Sequence, residues 1–375
     1  MRIALYGPTA LAALMTTTAI RPVEAPTRVV LRDSLPTDEA LAYARERLPQ
    51  LPRTLHLLTS RWERVLGSEA VLHRLSAELP AGALVGIGDG LYAASPELCL
   101  AQLSRTATDQ ELIFYGSLLC SPFALDARSG TGLRERTPLT SPAALRRFLL
   151  ECPGLRGATR LRRCLSHFSE GAASPPEAFL RMVLCLPHRL GGFGLTDAVA
   201  NHRIYLGKRT RKLAAGRRTL VPDLCWPSHR VGIEYDADSV HLTSRQAMLD
   251  STKRLALEAE GFKVITVTSL QIGSRRQMEN IAREASRRLG RRMRIRCNRF
   301  PEQQRRLFEV EWSLRSLFAQ EKRISEAKTA FSDNLPERKG VPSDNMPERK
   351  GVPSENLPEG KGSFSDRSLE RTPSF

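Results

Sequence analysis

The chain has 375 residues, 41% of them hydrophobic, with 57 Lys+Arg against 40 Asp+Glu and a formal net charge of +17. That length allows two or three domains and that apolar content a real core, which excludes wholesale disorder. The positive excess favours a polyanionic partner (DNA, RNA or an acidic membrane surface), the lack of a run of about 18 apolar residues excludes a spanning helix, and no membrane partner is expected.

At the N-terminus, Ala4–Ile20 makes a poor signal peptide, because Gly7-Pro8 and Thr16–Thr18 interrupt it. Residues 1–171 read as a mostly helical domain with short strands at Val29-Val30-Leu31, Leu55–Leu58 and Leu84–Tyr92. Gly86, Gly88 and Gly90 suit a hairpin turn better than a phosphate loop, since no Lys follows them. Helices are predicted over Pro96–Arg105, Asp109–Leu119, Pro142–Leu150 and Ala158–Phe168.

Residues 172–270 have a tighter grammar. Ser174-Pro175-Pro176-Glu177 opens a helix, and Val199–Leu206, Leu220–Trp226 and Arg230–Asp236 read as strands. A helix over Ser244–Glu260 and a strand over Phe262–Thr268 complete an α-β-β-β-α-β order, an α/β core. Residues 271–330 read as a basic helical extension, with helices at Ser274–Leu289 and Glu302–Lys328. Between 275 and 306 stand twelve Arg and three Glu. Residues 331–375 repeat an 11-residue unit with Pro and Gly in each copy, which predicts a disordered tail. The seven cysteines are scattered without a CxxC, which suits a reducing cytoplasm, and Cys164-x-x-His167 and Cys185-x-x-His188 read as buried thiols rather than zinc ligands.

The chemistry-bearing pattern lies in the hairpin Val221–Asp236. A turn between Ser228 and His229 places Trp226 opposite Val231 and Leu224 opposite Ile233 on one apolar face. The other face then brings Asp223 opposite Glu234, with Asp236 two residues further on. Opposed residues have Cβ atoms about 4.5–5.5 Å apart, so the two carboxylates repel unless a cation such as Mg²⁺ or Mn²⁺ lies between them. The bland alternative is a surface hairpin whose acids face water.

Pro222-Asp223 followed by Glu234-x-Asp236 resembles the motif of the PD-(D/E)XK nuclease superfamily. More closely, Ile233–Asp236 with His241, Asp250-x-x-x-Arg254 and Gly261–Thr268 resemble the very-short-patch-repair-like endonuclease domains of bacteria. Pro187, Leu190–Leu195 and Asn201 look like further parts of that group. The resemblance covers about residues 170–270. It implies a restriction-endonuclease-like fold, with Asp223, Glu234 and the Tyr235 carbonyl as ligands of Mg²⁺ or Mn²⁺. It also implies catalytic roles for Asp236, His241 and Glu177. Asp236 stands where the superfamily usually has Lys, Ala237 where a Gly commonly follows, and His241 lies seven residues past Glu234 rather than six.

Arg209, Arg211, Lys212, Arg217 and Arg218 precede the Asp223 strand, and Arg291, Arg292 and Arg294 follow the core. With Arg254 they are the candidate nucleic-acid contacts. The function expected is metal-dependent endonucleolytic hydrolysis of DNA, in bacterial defence or repair. The rival is an inactive DNA-binding regulator of antitoxin type on the same fold, and an RNA partner rests on charge alone.

Overall fold

The computed structural model describes residues 2–32, 34, 37–60, 69–75, 79–236 and 244–310, with 244–250 described by backbone alone. The N-terminal part runs β1 (Ile3–Leu5), α1 (Gly7–Thr16), β2 (Arg21–Pro22), α2 (Thr27–Arg32), α3 (Asp38–Arg47), β3 (Leu55–Thr59), β4 (Ala70–Arg74), β5 (Leu84–Gly88) and β6 (Leu91–Ala94). It continues through α4 (Pro96–Leu103), α5 (Asp109–Leu119), β7 (Phe123–Leu125), β8 (Leu133–Glu135), α6 (Pro142–Glu151) and α7 (Ala158–Leu165). Helices hold more of these residues than strands do. Their centre is nevertheless a six-stranded mixed sheet of order β2-β5-β6-β1-β3-β4, with β1 fully buried.

Local chemistry explains most of these elements. Thr108 caps α5 and Glu111 reaches back to it, a reciprocal capping box. Ser141 caps α6, with Pro142 in its first turn, where the missing N–H costs nothing. The expected strand at Val29–Leu31 is instead α2. There the buried residues Thr27, Val30 and Leu31 fall at i, i+3 and i+4, a helical face, and Pro26 supplies the first carbonyl acceptor.

The second part comprises α8 (Pro175–Cys185), β9 (Val199–Ala200), β10 (Ile204–Tyr205), α9 (Lys208–Leu213), β11 (Thr219–Leu220), β12 (Leu224–Trp226), β13 (Val231–Asp236), α10 (Ser244–Ala259) and β14 (Lys263–Thr268). A four-stranded sheet of order β14-β13-β12-β9 results. β12 is antiparallel to β9 and to β13, whereas β13 and β14 are parallel, as the helical crossover through α10 requires.

Two expected strands are each broken in two, at facing points. Asn201 takes a left-handed φ of 49°, and Pro222 has no N–H for a ladder. The same register nevertheless spans the gap, with Ala200 opposite Leu224 and Ile204 opposite Leu220. β10 and β11 therefore leave the sheet as a two-stranded ribbon carrying α9.

After β14 come α11 (Ser269–Ile272), α12 (Arg275–Arg288) and a helical run over 300–310. Met278, Ile281, Ala285 and Leu289 are buried, as their spacing predicts. One apolar core extends from Ile3 to Val310, so the boundary at 171 that the sequence grammar suggests is bridged by packing. Phe179 of α8 meets Phe114 of α5 edge-on at 6.4 Å and Phe308 at 5.5 Å. Gly191, at φ 89°, lets the last helix approach, since a Cβ there would lie 2.5 Å from the Gln303 carbonyl oxygen. The rest of the expected helix beyond 310 and the repeat tail lie outside the described residues.

Candidate functional site

The hairpin register is the one its apolar pairs predict, with Leu224 opposite Ile233 and Trp226 opposite Val231. All four side chains are at most 1% exposed. Pro227–His229 forms the turn as a single 3₁₀ turn closed by Arg230 in the left-handed region. One step beyond Leu224 and Ile233, Asp223 comes level with Glu234. The Tyr235 N–H donates to Asp223 Oδ2 at 2.6 Å, so this carboxylate lies against the β13 backbone beside Glu234. The acids do not project from an open surface. Cys225, on their face of the sheet, is fully buried, and Asp223 and Glu234 are themselves half-buried.

A third carboxylate comes from α8. Ser174 caps the helix, and Glu177 folds back on the cap, accepting from the Ala173 N–H at 2.9 Å and from Ser174 Oγ at 2.9 Å. Both acids are held above the ordinary carboxylate range. Burial is the first cause for each, and the Asp223 charge adds to it at Glu177. Asn201 stands beside the pair. It counters the upward shift at Glu177, its N–H donates to the Asp223 carbonyl at 3.2 Å, and its Nδ2 donates to the Gly171 carbonyl at 2.6 Å. Its left-handed turn, which broke the strand, is what aims it there.

Lys253 of α10 was not singled out by the sequence motifs. Its Nζ lies 2.5 Å from Glu234 Oε2, and its charge pulls against the upward shift at Asp223. The signal was present in the sequence. Lys253 sits three and four residues before Ala256 and Leu257, both fully buried against the ribbon and Val264 of β14, so the packing of those two aims Lys253 to the same side of α10. The motif reading chose Arg254 instead, which is exposed on the outer side of α10.

Asp236 ends β13 two residues beyond Glu234, opposite Thr268 of β14. Tyr235 packs on the main core, so only its backbone is on offer at the site. His241 and the Asp250 side chain lie outside the described residues. Among the described residues no group of three or more His, Cys, Asp and Glu gathers at metal-holding distance. The donor set of Asp223, Glu234 and the Tyr235 carbonyl is all hard oxygen, which fits Mg²⁺ or Mn²⁺. A cation there would also hold the buried Asp223 carboxyl ionised.

The candidate nucleic-acid contacts fall into two surfaces. Arg209, Arg211, Lys212, Arg217 and Arg218 are all exposed on the β10–α9–β11 ribbon, alongside Tyr205 at 76% exposure. No acid occurs between Asp197 and Asp223. The ribbon is held by Ile204, Leu206, Ala214 and Leu220 packing with Ala256 and Leu257 of α10. Arg292 and Arg294 are exposed in the segment after α12. Arg291 differs, because its guanidinium pairs with Asp197 at 3.2 Å. Of the two Cys-x-x-His pairs, the first has His167 engaged by Arg189 at 3.0 Å and Cys164 buried.

Compared with known proteins, the chain matches no family model, no curated protein and no solved structure. Among the described residues, no helix is long and apolar enough to cross a membrane.

Proposed function

We propose that residues 172–270 form a restriction-endonuclease-like domain of the very-short-patch-repair-like type, which hydrolyses phosphodiester bonds in DNA with Mg²⁺ or Mn²⁺. The observation that carries this reading is a convergence. Asp223 and Glu234 meet from adjacent strands, with the Tyr235 N–H on one and Lys253 on the other. The αβββαβ order and the mixed sheet support it.

Asp223, Glu234 and the Tyr235 carbonyl would hold a divalent cation, which would supply an activated water and offset charge on the phosphate. The chain's own groups do the rest. Lys253 pairs with Glu234 at 2.5 Å, and its remaining N–H donors can hold a water or a phosphate oxygen, work the superfamily's strand lysine usually does. Asn201 fixes the Asp223 backbone at the strand break, and Glu177 brings a third carboxylate near it from α8. The ribbon and the Arg292–Arg294 segment grip phosphates on either side.

The rival, a catalytically inactive DNA-binding regulator, draws on the same ion pair, because Lys253 already neutralises a carboxylate the metal needs. A plasmid-nicking assay with Mg²⁺, Mn²⁺ and EDTA decides between them. Metal-dependent nicks support the nuclease. DNA binding without nicks under any divalent metal supports the regulator.

A further inference from the structure

A cavity of about 170 Å³ lies between the segment after α7, helix α8 and the segment before β9. Two of these stretches also frame the carboxylates, through Gly171 and Ala173 and through Glu177, and Asn201 joins them from the far end of β9. Arg181 lines the cavity and follows Glu177 by four residues, on the same face of α8 and about 6 Å along its axis. The cavity is therefore one helical turn from the acids.

Its lining is rich in donors. Arg181 is half-buried and has no hydrogen-bond or ion-pair partner among the described residues. Ser169 is 3% exposed. Its N–H is fixed by Ser117 Oγ at 3.0 Å, while its own Oγ is buried without a partner. His167 accepts from Arg189 through Nε2, which leaves the proton on Nδ1 as a donor. Burial, reinforced by the Arg189 charge, lowers its pKa and keeps the ring neutral. The one acid, Asp197, is mostly exposed, and its Oδ2 accepts from Arg291 at 3.2 Å and from the Thr196 hydroxyl at 3.1 Å. A guanidinium, an orphaned hydroxyl and an imidazole N–H around a small cavity complement an anion that only accepts hydrogen bonds.

We propose that this cavity is a phosphate subsite, in which Arg181 and Ser169 hold the phosphodiester next to the one that is cut. The assignment to nucleic acid rests on the cleavage function proposed above. The existence of the phosphate site does not.

The test uses the full chain. Inorganic phosphate is titrated calorimetrically, and a labelled DNA duplex is titrated by anisotropy at several salt concentrations. The proteins are the parent, Arg181→Gln, Arg181→Lys and Ser169→Ala, with thermal melts to confirm folding. The parent is expected to bind one phosphate, about 10-fold more weakly in Arg181→Gln and about 3-fold more weakly in Ser169→Ala. Arg181→Lys keeps the charge without the fork and falls between. In Arg181→Gln the salt dependence of DNA binding becomes shallower by about 0.9, one phosphate contact. Equal phosphate affinity in the parent and Arg181→Gln, or an order other than Arg, Lys, Gln, overturns the subsite. Lost phosphate binding with unchanged DNA affinity and salt slope overturns the nucleic-acid assignment and leaves a site for free phosphate. A parent that never nicks DNA defeats the cleavage proposal and leaves the phosphate titration standing.

Discussion

Lys253 Nζ sits 2.5 Å from Glu234 Oε2, a pair in which both side chains are at least three-quarters buried. It joins the crossover helix to the central strand at the point where Asp223 is also drawn onto that strand. On the proposed nuclease reading, Lys253 supplies from α10 the ammonium that Asp236 does not.

Lys253→Met is expected to reduce cleavage at least 100-fold while duplex affinity changes by less than about 3-fold. Nicking rates and anisotropy titrations on one preparation check this. Cleavage within 3-fold of the parent would remove Lys253 from the site.

Asp223→Asn is expected to raise the melting temperature at pH 7–8. The folded-state pKa of Asp223 lies above the unfolded value of about 3.9, so between the two the folded protein binds more protons and stability falls as pH rises. As pH falls below the unfolded value the carboxyl becomes protonated in both states and the difference should shrink away. Asn keeps an acceptor for the Tyr235 N–H. Melts from pH 3.5 to 8 test the sign, and a variant less stable than the parent at pH 8 contradicts it.

Replacing Arg209, Arg217 and Arg218 together by Ala is expected to weaken DNA binding alike for all sequences. It should flatten the salt dependence by about 0.9 per lost phosphate contact, with melting unchanged because all three are exposed. Arg292→Ala with Arg294→Ala should do the same. Arg291→Ala should also release Asp197, so its effect is not one of phosphate contact alone.

Gly191→Ala is expected to cost more than about 2 kcal/mol. It adds strain at φ 89° to a clash with the Gln303 backbone. Chemical denaturation measures this directly, and a loss under about 0.5 kcal/mol would mean that the last helix moves aside freely.

The hairpin was legible because two apolar pairs and one turn suffice to fix a register, and the register carries Asp223 to Glu234. Pro222, quoted only as half of a motif, also announced the strand break that lets the ribbon leave the sheet. The six-stranded sheet was not legible. Its strands β1 and β2 are three and two residues long, and β1 pairs in parallel with β6, about ninety residues away, a partnership no local pattern encodes. Lys253 needed the packing direction of α10, which only its buried neighbours Ala256 and Leu257 reveal. Asn201 required a left-handed turn that the β-branched and aromatic residues around it conceal.

The central claim is that Asp223 and Glu234 form a metal-dependent cleavage centre. Supercoiled plasmid is incubated with the parent or with Glu234→Gln, in Mg²⁺, Mn²⁺ or EDTA, while duplex affinity is followed in parallel. The account predicts nicking by the parent with a divalent metal only. It predicts none by Glu234→Gln, whose DNA binding is equal or tighter because a negative charge near the phosphates is gone. Nicking by Glu234→Gln at the parent's rate would contradict it.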